Sequence, residues 1–477
     1  MLFNSPSFIL LFLPIVIIVY FALNKMRLIK IAQSWLVMAS LYFYSVWDIK
    51  FLPVIITSIL FNYSIGNTLV ETFKLKIDKK LLLGFGIIGN IAILCYYKYF
   101  NFLIENFNAL FNQHFNTMNI IMPLAISFFT FQQIAYLVDS YNGKTKNYDF
   151  LSYSVFITFF PKLMQGPITR AEEFMPQLFS LRTKIVNWKN LSIGLFLFAV
   201  GLFKKVVLAD LLAKYSTFGY SNIDSLTFLE SWITVLSYTF QIYFDFSGYT
   251  DMAIGIGMMF NINLPQNFNN PYIAQDIQDF WRRWHITLSR CLKDYVYIPL
   301  GGNRKGTFRT YLNIFWVFLI CGIWHGASWT YIVWGIMHGI ASIINRWFKT
   351  LNINLNIIVS RCVTFLFVCF AWIYFSAPNI ATANKLLLHS INFLNFDLPK
   401  IYGFDMRFRE SGNSWEIYPL IIIPIMFIFI FNNYFRDKLK NFNPNFKYTV
   451  YIVIMLLFSF YQIFKPDYSS SFIYFQF

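Results

Sequence analysis

Two constellations in this chain carry side chains able to hold an anion or move a proton. The first is Gln278-Asp279-Phe280-Trp281-Arg282-Arg283-Trp284-His285-Ile286-Thr287-Leu288-Ser289-Arg290, followed by Asp294-Tyr295-Val296-Tyr297-Ile298-Pro299-Leu300-Gly301-Gly302-Asn303-Arg304-Lys305-Gly306. Placed on a helix, Trp281 and His285 share a face at i, i+4, as do Arg282 and Ile286, so basic groups flank an aromatic stripe. Guanidinium forks and the exposed N–H groups of a glycine-rich turn both donate to anionic oxygens, so Arg282, Arg283, Arg304 and Lys305, with Trp284 and Asn303 among them, suit a phosphate-bearing ligand. The plainer alternative is an amphipathic interfacial helix held by anionic lipid.

The second constellation is Cys321-Gly322-Ile323-Trp324-His325-Gly326-Ala327-Ser328-Trp329, in which an ionisable side chain interrupts an apolar span. A histidine inside a membrane marks a functional site by default. Imidazole can take a proton from a hydroxyl near neutral pH, as acyl transfer from a thioester to an alcohol requires, so His325 is the candidate base, with Trp324 beside it. A histidine that only hydrogen-bonds between helices is the alternative. Cys321, one turn earlier, admits a thiol–imidazole nucleophile or a metal pair, but no further ligand pair stands at matching spacing and no metal is expected. His338 reads as a hydrogen-bonded bundle residue, and His114 and His389 as surface residues. The chain end, Ser470-Ser471-Phe472-Ile473-Tyr474-Phe475-Gln476-Phe477, is either an interfacial aromatic anchor or a tail that docks in a cavity and offers the Tyr474 hydroxyl as an acyl acceptor.

The elements that must position these residues are membrane helices. The 477 residues are 57% hydrophobic and only 13% charged, which excludes a soluble globular fold. The net charge of +16 could suggest nucleic acid, but in a membrane protein such an excess collects in cytoplasmic loops, and no nucleic-acid partner is expected. The five cysteines form no CxxC pair and no disulfide framework. Apolar runs long enough to cross a bilayer, about 20 residues each, lie near 6–24, 31–48, 51–69, 81–103, 118–138, 190–209, 227–244, 311–327, 329–347, 357–377, 416–432 and 448–464. The first lacks a basic n-region and a cleavage site, so it reads as a retained span.

Counting loop charges puts Lys25, Arg27 and Lys30, Lys74 to Lys80, Lys144 and Lys146, Arg182 to Lys189, Arg282 to Arg309 and Arg436 to Lys440 on one side, the cytoplasmic one. Both termini and the loop from about Pro378 to Glu416 then lie outside. Phe156–Gln177, with Pro161, Gly166, Pro167 and Pro176, and Gln241–Asn270, with Asp245 and Asp251, read as re-entrant or interfacial segments beside a central cavity. No internal repeat is visible, which weighs against a secondary transporter.

With these residues in place, the chain resembles the membrane-bound O-acyltransferase (MBOAT) family, in its bacterial branch of alginate and peptidoglycan O-acetylation proteins, over nearly its whole length. The resemblance rests on Met122-Pro123-Leu124-Ala125-Ile126-Ser127-Phe128-Phe129-Thr130-Phe131-Gln132, Phe159-Phe160-Pro161-Lys162 with Gln165-Gly166-Pro167-Ile168, Tyr243-Phe244-Asp245-Phe246-Ser247-Gly248-Tyr249, the Phe280–Gly306 block and Trp324-His325-Gly326. It implies an all-α polytopic membrane protein: one domain over 1–477, a ring of about 11–12 transmembrane helices around a thinned central tunnel with re-entrant and interfacial helices. It also implies a cytoplasmic basic segment over 278–309 and an extracytoplasmic aromatic tail over 465–477.

The catalytic histidine matches His325 and the second family histidine His285. Trp281, Arg282, Arg283, Trp284, Asp245, Asn303, Arg304, Lys305 and Trp324 are the expected donor-binding and tunnel residues. The family's donor is acetyl-coenzyme A. A separate extracytoplasmic SGNH-type transferase is the implied partner, an envelope polysaccharide the final substrate, membrane lipid the surround and the bacterial cytoplasmic membrane the location. The tail resembles the family's C-terminal tyrosine motif, with Tyr474 as the carrier. D-alanyl transfer to teichoic acid, a transporter or flippase of an envelope precursor, and a scaffold for the soluble transferase are the readings to separate from this one.

Overall fold

Backbone inside a bilayer must satisfy its own hydrogen bonds, and the described residues do so with helices alone. The computed structural model describes residues 1–71, 78–353, 355–395, 445–466, 468 and 472–473. The run expected at 416–432, the basic residues Arg436, Lys438 and Lys440, and Tyr474 lie outside them.

The α-helices are α1 (Leu13–Lys25), α2 (Ile29–Ser45), α3 (Leu52–Val70), α4 (Lys79–Leu94), α5 (Phe100–Phe111), α6 (Ile126–Tyr141), α7 (Phe150–Thr158), α8 (Phe160–Leu163), α9 (Ala171–Phe179), α10 (Trp188–Phe203), α11 (Asp210–Ser221), α12 (Phe228–Met259), α13 (Ile277–Arg283), α14 (Ile286–Leu292), α15 (Thr307–His325), α16 (Trp329–Thr350), α17 (Ile357–Ser376), α18 (Ile380–Ile391) and α19 (Phe446–Ile463). Side-chain oxygens set many starts: Asp149, Asn187, Asp276, Asn379 and Asn445 each accept an N–H from the first turn, and Thr227 with Glu230 forms a capping box on α12.

Among the described residues, seven helical stretches are long and apolar enough to cross a membrane, including the continuous runs Lys79–Phe111 and Trp188–Ser221. Fewer of the expected runs qualify: α2 and α6 have only 17 and 16 residues, the run at 416–432 lies outside the described residues, and α12 and α16 carry polar side chains. α12 is buried on almost every side, so glutamate and aspartate are tolerated along it, and α16 carries a buried histidine. The run at 118–138 starts late, since Pro123 and the left-handed Ala125 (φ 61°) hold the helix off until Ile126.

One expectation is corrected. Gln241–Asn270 is not re-entrant in its first half: residues 241–259 complete α12, and only 260–270 is irregular. The carboxylates that suggested a break are neutralised on neighbouring elements, Asp245 by Lys205 and Asp251 by Lys204 at 2.6 Å. Phe156–Gln177 runs through the end of α7, short α8 and most of α9 with irregular backbone between them, and every residue from Phe159 to Arg170 is buried in protein.

α12 is the pillar of the molecule, packed by α10, α11, α17 and α18. Its contact with α10 is backbone on backbone: a Cβ at Gly201 would sit 2.5 Å from the Gly248 carbonyl oxygen, so only glycine allows this approach. Gly201→Val should force the helices apart and destabilise the protein by about 1–3 kcal/mol. A lowered thermal midpoint of the detergent-solubilised protein checks it; an unchanged midpoint would mean the contact is dispensable.

Lys30, beside the first basic loop, pairs with Asp149, beside the loop of Lys144 and Lys146, at 2.5 Å. The two chain ends meet each other, the Asn4 amide donating to the Tyr468 hydroxyl at 2.9 Å.

Candidate active site

α15 carries His325 as its last residue, and its neighbour α16 approaches at glycine distance. A Cβ on Gly322 would lie 2.4 Å from the Tyr331 carbonyl, and one on Gly335 would lie 2.6 Å from that of Phe318. This brings His325 into an aromatic cage, 4% exposed, with Trp324, Trp334 and Phe375 edge-on at centroid distances of 5.0, 5.1 and 5.1 Å. Trp372 closes the cage behind Trp334 and Phe375.

The end of α15 is satisfied from outside the helix. Lys98 donates to the carbonyls of Trp324 (2.8 Å) and His325 (2.9 Å) and to the Ser127 hydroxyl (3.1 Å), and the Tyr99 hydroxyl donates to the Ile323 carbonyl at 2.7 Å. Both donors sit on a π-helical turn, Cys95–Tyr99, between α4 and α5.

His285 reaches the same centre by a different route. The expected helix through Trp281 and His285 is broken: α13 ends at Arg283, Trp284 is extended, and His285 takes a left-handed conformation (φ 42°) before α14 begins. A non-glycine residue held there is strained, and surrounding structure must hold it. The segment around Asn267 does so, with Ile286 N–H donating to the Asn267 carbonyl (2.9 Å), the Thr287 hydroxyl to its side chain (2.6 Å), and Asn269 N–H to the Arg283 carbonyl (2.9 Å). The His285 ring is fully buried, edge-on to Phe246 at 4.7 Å and to Trp324 at 6.3 Å. Neither of its nitrogens has a hydrogen-bond partner among the described residues. Two imidazoles thus share one indole, that of Trp324.

A cavity of about 30 Å³ adjoins His325, bounded also by Lys98, Ser127, Met164, Gln165 and Trp324. The Gln165 carboxamide, 2% exposed, has no partner among the described residues. A larger cavity of about 980 Å³ opens on the face of the chain ends, with Lys205, Asp210, Tyr238, Gln241 and Ile473 among its walls.

The basic segment divides. Trp281 and Trp284 are buried in the aromatic core, and the Trp281 indole donates to His338 at 3.2 Å, so His338 is indeed a hydrogen-bonded bundle residue. Arg282, Asn303, Arg304 and Lys305 are exposed, and Arg283 pairs with Asp279 at 2.9 Å. Behind them, Arg290 forks onto Glu173 at 2.5 and 3.0 Å, Arg170 pairs with Asp294, and the Tyr295 hydroxyl donates to Asp139 at 2.7 Å, tying α9 and α14 to the end of α6. Asp276, where partial burial is outweighed by Lys349 at 2.8 Å and by the Asp279 N–H, has its carboxyl held below the usual range and pins α13 to α16.

Asp245 does not join the basic segment. It is buried against Lys205, and its second oxygen accepts the Ile473 N–H at 3.0 Å. Lys205 also pairs with Asp210 at 2.9 Å and lies 4.6 Å from the Phe472 ring, which stands edge-on to Tyr249 at 5.0 Å. Phe472 and Ile473 are therefore seated inside the protein, one residue short of Tyr474, which is outside the described residues. Among the described residues no three His, Cys, Asp or Glu side chains converge as metal ligands, so the Cys321–His325 pair gains no third ligand.

Lys98, Lys205 and Asp210 were not singled out by motif, and Gln165 stood within the Gln165-Gly166-Pro167-Ile168 motif with no role assigned to it. Lys98 and Lys205 did carry a signal, as lone or paired ammonium groups inside otherwise apolar runs. Asp210 carried none.

The model of the membrane-bound O-acyltransferase family matches residues 140–383. The peptidoglycan O-acetyltransferase of Helicobacter pylori is 46% identical over 417 residues, 81% of this chain and 79% of its own. The probable alginate O-acetylase AlgI of Pseudomonas putida is 35% identical over 460 residues, 94% of this chain and 90% of its own. The teichoic acid D-alanyltransferase of Bacillus subtilis is 27% identical over 279 residues, 55% of this chain and 71% of its own.

Proposed function

This chain belongs to the membrane-bound O-acyltransferase family, and from that membership we propose that it moves acetyl groups from cytoplasmic acetyl-coenzyme A across the membrane for O-acetylation of an envelope polysaccharide. The observation that carries the reading to residues is the pair of buried imidazoles, His325 and His285, packed on Trp324 in an apolar bundle.

The donor enters from the face of the basic loops, where Arg282, Arg304 and Lys305 are exposed to its phosphates. His325 takes the proton of an acceptor hydroxyl as that oxygen attacks the thioester carbonyl. The oxygen–carbon bond forms, the carbon–sulfur bond breaks, and the imidazolium returns the proton to the departing thiolate. The Gln165 amide borders the cavity beside His325 and is positioned to donate to the oxyanion. His285 supports the donor side of the tunnel.

The acceptor arrives from the opposite face, where the large cavity opens. It is the Tyr474 hydroxyl or the serine of an extracytoplasmic SGNH-type transferase, which then delivers the acetyl group to a sugar hydroxyl. In this reading the basic loops face the cytoplasm, both termini lie outside, and the membrane is the bacterial cytoplasmic one.

Peptidoglycan is favoured over alginate by the higher identity of the peptidoglycan relative, and D-alanyl transfer is disfavoured by the shorter matched stretch. Alkali-released acetate from purified envelope polysaccharide should disappear in a deletion strain and return with the wild-type protein. Acetate unchanged by deletion would overturn the reading, and coenzyme A release during transfer separates an acetyltransferase from a flippase.

A further inference from the structure

A helix leaves its last four carbonyls without intrahelical partners, and α15 ends where none of the usual closures is present: Gly326 after it is extended, and no left-handed cap turns the carbonyls inward. Three of those carbonyls, of Ile323, Trp324 and His325, nonetheless have donors, and all come from Lys98 and Tyr99. We infer that the π-helical turn Cys95–Tyr99 is a clamp whose Lys98 and Tyr99 set the position of His325 for proton transfer.

The arrangement has three parts. An α-helix turns consecutive residues about 100° apart, and the wider π turn brings Lys98 and Tyr99 onto one target; such turns are frequent at functional sites. The ammonium has three protons and three acceptors, two of them on the final residues of α15, so none is left over for another role. Its charge also lies at the negative end of the α15 macrodipole. The side chain of His325 is held by its cage and its main chain by the clamp, so both ends of the residue are fixed. Lys98 and Tyr99 are positioning residues, acting through His325.

The inference rests on His325 being the base, and the test separates the two. Transfer from radiolabelled acetyl-coenzyme A to alkali-labile acetate is measured in permeabilised cells at varied donor concentration, with activity normalised to membrane protein, for wild type, His325→Ala, Lys98→Met, Lys98→Arg and Tyr99→Phe. Lys98→Met should lower kcat about 100-fold, the effect of an ångström-scale misplacement, with KM for the donor within about twofold. Tyr99→Phe, losing one of three carbonyl bonds, should lower kcat about fivefold. Lys98→Arg, which can still donate to adjacent carbonyls, should recover much of the loss.

Wild-type kcat in Lys98→Met or Tyr99→Phe overturns the clamp, as does Lys98→Arg no better than Lys98→Met. If Lys98→Met does not reach the membrane, Tyr99→Phe decides alone: lowered kcat at unchanged KM supports the clamp and wild-type kcat removes it. Activity in His325→Ala would instead remove the catalytic reading on which the clamp rests.

Discussion

His325→Ala should reduce acetyl transfer by about 10³-fold or more, in the upper range for loss of a positioned general base. The protein should still accumulate in the membrane, because the ring is held by edge contacts with Trp324, Trp334 and Phe375 while the main chain of α15 is anchored through its own carbonyls. His325→Gln separates base from hydrogen-bonding group, since glutamine fills much of the same space and donates a hydrogen bond but cannot take the acceptor's proton at neutral pH. Both variants should release coenzyme A at background rate and leave the polysaccharide without alkali-labile acetate at wild-type expression. Retained transfer in the glutamine variant would assign His325 a hydrogen-bonding role, and retained transfer in both would favour a scaffold for the soluble transferase.

His325 was legible because its chemistry and its setting conflict: an imidazole between tryptophan and glycine in an apolar run has no bland place to go except another helix. The all-helical membrane architecture followed from composition and run length for the same reason, that lipid leaves the backbone little choice. His285 was legible as a residue but not as a geometry. Helical spacing put it on the face of Trp281, whereas the chain breaks at Trp284 and turns His285 through a left-handed conformation toward Phe246 and Trp324. No local propensity asks for that turn; the contacts of Asn267 and Asn269, sixteen to eighteen residues earlier in the chain, impose it.

The reading of Asp245 failed in a related way. A carboxylate among glycines in an apolar stretch looks like a helix break, because its counter-charge, Lys205, lies on a π-helical turn forty residues away in sequence. Lys98 was hidden for want of a partner type, since its acceptors are backbone carbonyls, which no sequence motif displays.

Lys205→Met should be the most destabilising single substitution on the face of the chain ends. The ammonium is 2% exposed and sits between Asp210 and Asp245, the latter also 2% exposed. Removing one partner of a buried pair leaves the other charge uncompensated at about 3–5 kcal/mol, a large part of the 5–15 kcal/mol that usually holds a fold. Asp245→Asn should be milder, because Lys205 keeps Asp210 at 2.9 Å and an asparagine oxygen can still accept the Ile473 N–H. The double variant Lys205→Met, Asp245→Asn should recover much of the folded yield and thermal midpoint lost in Lys205→Met, since no buried carboxylate then lacks its cation at position 245. A double variant as unstable as Lys205→Met would place the damage elsewhere, at Asp210 or in the lost contact with Phe472. Lys205 also lies against the Phe472 ring, so the recovered double variant, folded but without that contact to the chain end, is the protein in which to ask how far acetyl transfer depends on the tail.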